Sequence, residues 1–182
     1  MGAHHEIIGL NVILRPIQKE DLSDLFKLYQ DPEFLDDFGY IEGVEQTENH
    51  LLSWFNELQN TEEEKVYSIF RKESLEWMGF VTLMDINVNE QDAWLVIGLQ
   101  NKWRNQGYGK RCLRILIETA FNEMELKTLR LSVLGHNSRA LSLYKNLGFE
   151  VEMIFPKLQC PNLFGVDILQ LQLKQEKWRT LV

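Results

Sequence analysis

Three β-rich segments follow one another between Val66 and Leu99, and the period of the apolar residues then switches to that of a helix. Val66–Arg71, Trp77–Ile86 and Ala93–Leu99 are short and rich in β-branched and aromatic residues, the signature of strands. The polar link Asn87–Gln91 predicts a hairpin between the last two. From Tyr108 to Met124, Leu113, Leu116, Ile117, Ala120, Phe121 and Met124 form one apolar helical stripe. Leu129–Leu134 reads as a strand, Asn137–Leu147 as a helix stopped by Gly148, and Phe149–Phe155 and Val166–Leu173 as two more strands. Upstream, a strand at Val12–Ile17 precedes helices over Glu20–Tyr29 and Gln46–Leu58, with Asp31-Pro32 ending the first. The order β-α-α-β-β-β-α-β-α-β-β predicts one layered α/β domain over residues 11–175, with tails at 1–10 and 176–182.

At 182 residues the chain is long enough to bury a full core without staples. Charges sum to −8, from 19 basic and 27 acidic residues, which argues against a nucleic-acid binder with a general basic face. No apolar run reaches bilayer-spanning length and no secretory leader opens the chain, so no membrane partner is expected. Cys112 and Cys160 lie far apart with no CxxC and no histidine pair near them, so neither a disulfide framework nor a metal site is expected, and the cytoplasm is the expected compartment.

Against that negative balance, Asn101 to Ile117 holds Lys102, Arg104, Lys110, Arg111 and Arg114 and no acid. Within it, Trp103-Arg104-Asn105-Gln106-Gly107-Tyr108-Gly109-Lys110 joins a strand to the long helix. Glycines let backbone approach a ligand closely, and free amides at a helix start suit phosphate oxygens. A GxG is equally what an ordinary tight turn shows. A dinucleotide fingerprint fails at Cys112, where a small residue is required, and a Walker loop fails because Gly109-Lys110 is followed by Arg111.

Thirty residues past Gly107 comes Asn137-Ser138-Arg139-Ala140-Leu141-Ser142-Leu143-Tyr144-Lys145-Asn146-Leu147-Gly148-Phe149. The two segments together resemble the GNAT superfamily of N-acetyltransferases, whose cofactor loop reads Arg/Gln-x-x-Gly-x-Gly/Ala. Leu14-Arg15-Pro16 and Asp31-Pro32-Glu33 resemble its ribosomal-protein and spermidine acetyltransferase branch. The resemblance implies a mixed, mostly antiparallel sheet of six or seven strands, splayed between the fourth and fifth and flanked by about four helices. It implies acetyl-CoA as cosubstrate, lying along Ile97, Gly98 and Leu99. The pyrophosphate would rest on the amides of Arg104, Asn105, Gln106, Gly107, Tyr108, Gly109 and Lys110, with Asn137 beside the pantetheine arm. Tyr144 reads as core from its spacing alone. Through the resemblance it becomes the acid that protonates the departing thiolate, a phenol of ordinary pKa near 10. His136 reads as a solvated loop residue and Asp167 as structural.

On the acceptor side the pattern breaks. Relatives often carry a glutamate where this chain has Trp94, which then stands as an apolar wall. Asp85 is the remaining candidate base, beside a chain of waters. Asp31 to Glu48 holds seven acids (Asp31, Glu33, Asp36, Asp37, Glu42, Glu45 and Glu48) and no base, so Asp36 and Asp37 are expected on a rim that attracts a cationic amine. Glu62-Glu63-Glu64 reads as solvated. The expected acceptor is a small-molecule amine or a protein N-terminus, and a homodimer is one assembly left open. A CoA-fold sensor with little turnover is the competing reading.

Overall fold

The computed structural model describes residues 5–38, 47–157 and 165–181. Eight strands form one sheet in the order β1-β2-β3-β4-β5-β6-β8-β7. They are β1 (Ile7–Ile8), β2 (Val12–Pro16), β3 (Lys65–Arg71), β4 (Trp77–Asn87), β5 (Asp92–Leu99), β6 (Thr128–Leu134), β7 (Glu150–Phe155) and β8 (Ile168–Lys174). Every neighbouring pair is antiparallel except β5 and β6. The helices are α1 (Leu22–Tyr29), α2 (Pro32–Phe38), α3 (Glu48–Leu58), α4 (Tyr108–Asn122), α5 (Ser138–Asn146) and α6 (Gln175–Leu181). No helix among the described residues is long and apolar enough to cross a membrane.

Two apolar layers clothe the sheet. One packs Leu113, Leu116, Ile117 and Phe121 of α4 with Tyr144 and Leu147 against the strand residues Leu14, Ile69, Leu83, Leu95 and Leu131. The other packs Leu25, Leu28, Phe34 and Leu51, from α1, α2 and α3, against Val66, Trp77 and Phe80. Buried Asp21 pins α1 to the sheet: it accepts from Arg15 Nη2 at 2.7 Å, Ser68 Oγ at 2.8 Å and Gln18 N at 2.9 Å.

Three elements exceed the expectation. The first is β1, which pairs Ile7 with Leu14 through a turn closed by Gly9 N to Val12 O at 2.8 Å; two residues are too few to leave a periodic signal. The second is α2. Pro32 does end α1, but proline also suits the first position of a helix. Asp31 caps the new helix, with Oδ1 accepting from Glu33 N at 3.0 Å and its carbonyl from Leu35 N at 3.0 Å. The third is α6, anchored in the expected tail by buried Trp178, with the Arg114 guanidinium 5.7 Å from its ring. Among the described residues the sheet therefore has eight strands and is flanked by six helices, rather than six or seven strands and about four helices. Of the residues singled out in the sequence, Glu42, Glu45, Gln46 and Cys160 lie outside the described residues.

Candidate active site

The site begins where the sheet forks. β5 and β6 pair only over Asp92↔Thr128, Ala93↔Leu129 and Trp94↔Arg130. β5 nevertheless stays paired with β4 out to Gly79↔Leu99, and β6 with β8 out to Leu134↔Ile168. Beyond Trp94 the two strands separate and enclose a slot of about 610 Å³. Leu95–Leu99 line one wall, and Ser132–Leu134 with Asn137, Leu143 and Tyr144 line the other. The predicted splay between the fourth and fifth expected strands is this fork.

Backbone groups alternate sides along a strand. The Leu99 carbonyl accepts from Arg104 Nε at 2.9 Å, so it points away from β4, and Ile97 presents its amide and carbonyl on the same side. Gly98 has a packing reason: a Cβ there would lie 2.5 Å from Phe80 Cε1 and 2.9 Å from Phe34 Cε2.

At one end of the slot lies the glycine bend. Asn105 (φ +62°) and Gly107 (φ +79°) are both left-handed, and Gly107 caps α4. Arg111 N donates to Gly107 O at 3.2 Å, so the amides of Tyr108, Gly109 and Lys110 precede the first intrahelical bond. Arg104, Asn105, Gly107, Gly109 and Lys110 line the slot. Gln106 and Tyr108 do not. Gln106 Nε2 folds back onto the Lys102 carbonyl at 2.6 Å, and the Tyr108 ring is buried edge-on against Trp103 at 5.8 Å. A Cβ at Gly109 would meet only Leu143 Cδ2 at 3.5 Å and Leu99 Cδ1 at 3.6 Å, ordinary contacts. Nothing in the polypeptide requires a glycine at 109. Free helix-start amides, a basic flank and a vacated Cβ position are what a pyrophosphate fits.

Tyr144 reaches the slot from α5 and is 8% exposed. Burial pushes its phenol up to about 12, above the ordinary value assumed from sequence, so it stays protonated throughout the neutral range. Asn137 caps α5, accepting from Ala140 N at 3.0 Å, and donates Nδ2 to the Asp37 carbonyl at 3.1 Å.

Asp37 stands elsewhere than on a free acidic rim. Its carboxylate is shared by Arg104 Nη1 at 2.9 Å and by Arg139. Asp36 is exposed and lies outside the slot lining; its carbonyl bonds His136 Nε2 at 2.9 Å. Through Asp37, Asn137, His136 and the Asn101–Glu33 contact, α2 is tied to both sides of the fork. Over Pro32–Phe38 the acidic segment expected as a rim is a helix, and of its acids Asp37 is held by two arginines while Asp36 stays exposed. Asp167 is structural as expected: its carboxylate accepts from Lys157 N at 3.0 Å and its carbonyl from Gly135 N at 2.7 Å.

The other end of the slot is aromatic and acidic. Trp94 sits at the fork opposite Met84, and both line the slot with Asp85. Asp85 is exposed and left-handed (φ +51°) at the bulge where the β4–β5 register shifts. Glu64, read from sequence as solvated, is instead half-buried. Burial raises its carboxyl, and the nearby Asp85 charge adds to the rise. A run of three glutamates hides this, because only the strand register shows which one turns inward. Among the described residues no cluster of histidine, cysteine and acids is placed to hold a metal.

The family model for the acetyltransferase (GNAT) domain matches residues 11–150. The spermidine N(1)-acetyltransferase of Escherichia coli K12 is 23% identical over 154 residues, 78% of this chain and 74% of that one. The L-amino acid N-acetyltransferase AaaT of the same organism is 32% identical over 56 residues, 31% of this chain and 35% of that one. In structure, the chain resembles the spermidine N-acetyltransferase of Vibrio cholerae solved with CoA and spermine. The TM-score is 0.84 at 18% identity, over 94% of this chain and 99% of that one. A dodecameric form of that Vibrio enzyme aligns at TM-score 0.79 and 19% identity, over 93% and 97%. With its forked sheet, glycine bend and matching domain, the chain belongs to the GNAT family of N-acetyltransferases, whose acyl donor is acetyl-CoA.

Proposed function

We propose that this protein moves the acetyl group of acetyl-CoA directly to a primary amine, of a small molecule or a protein N-terminus, without a covalent enzyme intermediate. The observation that carries the reading is the glycine bend: a Cβ position left vacant at Gly109 without any internal need, beside unpaired amides at the head of the slot. Acetyl-CoA supplies the activated thioester. The amides of Gly109 and Lys110 hold the diphosphate, and the Ile97 edge of β5 pairs with the extended arm. The slot then leads past Tyr144 to the acceptor end at Trp94 and Asp85.

An amine attacks only as its neutral form, so its ammonium must first give up a proton. Asp85 is the slot-lining carboxylate at that end. Tyr144 donates its phenolic proton as the C–S bond breaks. A thiolate in the same slot feels the same desolvation as the phenol, so their basicities rise together and the transfer stays balanced. Trp94 and Met84 give the acceptor an apolar wall where relatives carry a glutamate, which favours an amine on an apolar or aromatic frame over free spermidine. The relatives' names keep spermidine and L-amino acids in the trial set.

The experiment is thiol release from acetyl-CoA against spermidine, L-amino acids, arylalkylamines and N-terminal peptides, with mass spectrometry of the product. Acetylation of at least one amine, lost with retained cofactor binding in Tyr144→Phe, is expected. Tight acetyl-CoA binding with no amine acetylated would instead establish a sensor.

A further inference from the structure

Of the carboxylates that line the slot, Asp37 is held by Arg104 and Arg139, which leaves Asp85, exposed beside Trp94 at the far end, as the one facing an acceptor. A lone solvent-facing carboxylate is a weak acceptor for the proton of an ammonium. The structure places a second carboxylate behind it. Ile86 N donates to the Glu63 carbonyl at 2.9 Å, which draws the start of β3 against the β4 bulge that carries Asp85. The register Lys65↔Leu83 sets Glu64 beside Met84, on the same face as Val66 and thus on the α1 and α3 side of the sheet. There the Trp54 indole of α3 hydrogen-bonds its carboxylate, and the Tyr29 phenol of α1 lies within its field. The adjacent lysine does not neutralise it: Lys65 Nζ pairs with Glu62 at 3.3 Å. Glu62 and Glu63 are exposed. Asp85, Tyr29, Trp54 and these strand neighbours are thus the groups that face Glu64.

We propose that Glu64 and Asp85 form one charge-coupled proton-accepting unit for the acceptor amine, Asp85 facing the slot and Glu64 behind it as its positioning partner. The inference rests on the acetyl-transfer reading above and adds a residue to it. Two carboxylates close together resist carrying two charges, so the pair holds its first proton more tightly than a lone carboxylate does. Burial of Glu64 acts in the same direction. The proton balance is explicit. The ammonium gives one proton to the pair, nitrogen forms the C–N bond while C–S breaks and Tyr144 protonates the thiolate, and the second nitrogen-bound proton passes to the Tyr144 phenolate and restores the phenol. The amide, free CoA and one proton released from the pair to solvent complete the turnover.

Glu64→Gln, Glu64→Asp, Asp85→Asn and the neighbouring control Glu63→Gln are compared in the full chain by two readouts. The first is a carbon-detected NMR titration of side-chain carboxyls. Glu64 should titrate above an ordinary glutamate, and its midpoint should fall in Asp85→Asn but not in Glu63→Gln. The second is the pH profile of kcat with two accepted amines of different basicity, so that a limb common to both belongs to the protein. In Glu64→Gln this limb should move to lower pH and the plateau fall roughly tenfold or more, with acetyl-CoA affinity and unfolding midpoint unchanged. Glu64→Asp should restore part of both. A Glu64 titration indifferent to Asp85→Asn, or a uniform loss of rate in Glu64→Gln without a moved limb, overturns the proposal. If no amine is acetylated, the functional reading fails by itself, and the NMR titration alone decides whether the pair exists.

Discussion

Gly107 and Gly109 stand two residues apart, and replacing each by alanine should have opposite consequences. Gly107 is held at φ +79°, so a side chain there is strained by about 1–2 kcal/mol although only Arg111 atoms at 3.9 Å lie near. Gly109 is the second residue of α4, and a Cβ added to it would meet leucine methyls no closer than 3.5 Å. Gly109→Ala should therefore stabilise the free protein by up to about 1 kcal/mol, the usual gain in a helix. The same methyl occupies the space beside the first-turn amides. Pushing a diphosphate off one such amide forfeits a hydrogen bond to a charged group, about 1.5–3 kcal/mol. Acetyl-CoA should bind roughly ten- to a hundredfold more weakly. Urea unfolding gives the first quantity and calorimetric titration with acetyl-CoA the second. A variant that is more stable and binds as tightly as the parent would refute the assignment of this bend to the diphosphate.

Tyr144→Phe should lower turnover by about two to four orders of magnitude while leaving acetyl-CoA affinity intact, as a stopped thiol-release assay would read. Asp21→Ala, which strands Arg15 and Ser68 far from the slot, should cost about 3–5 kcal/mol in urea unfolding. Tyr29, Tyr67 and Tyr144 are each pushed up to about 12 from 10.0. The unfolded chain ionises these phenols first, so their contribution is full below pH 10 and is lost as pH rises toward 12. Denaturant midpoints across that window, followed with phenolate absorbance, should fall together. Asp37→Ala should speed hydrogen exchange across Pro32–Phe38, because Arg104 and Arg139 lose the carboxylate that ties α2 to the fork.

The apolar stripe of α4 and the strand run from Val66 to Leu99 are written in local periodicity, so the layered fold follows from the sequence. The glycine bend is equally local, since a left-handed turn into a helix is specified by Gly107 itself. The acceptor half is different. Whether Asp37 faces an amine or two arginines depends on where α2 docks, and Asp31-Pro32 reads equally well as a stop and as a start. Tyr144 and Gly98 could be identified as residues, but their burial, and the rings that exclude a side chain at 98, come from other elements. Glu64 differs from Glu62 and Glu63 only through the β3–β4 register, a pairing across the sheet that no neighbouring residue dictates. Sequence determined the layers and the bend because periodicity and backbone conformation are set within a few residues. Tertiary structure alone decided which acids are free, paired or desolvated, because charge and burial depend on residues distant along the chain.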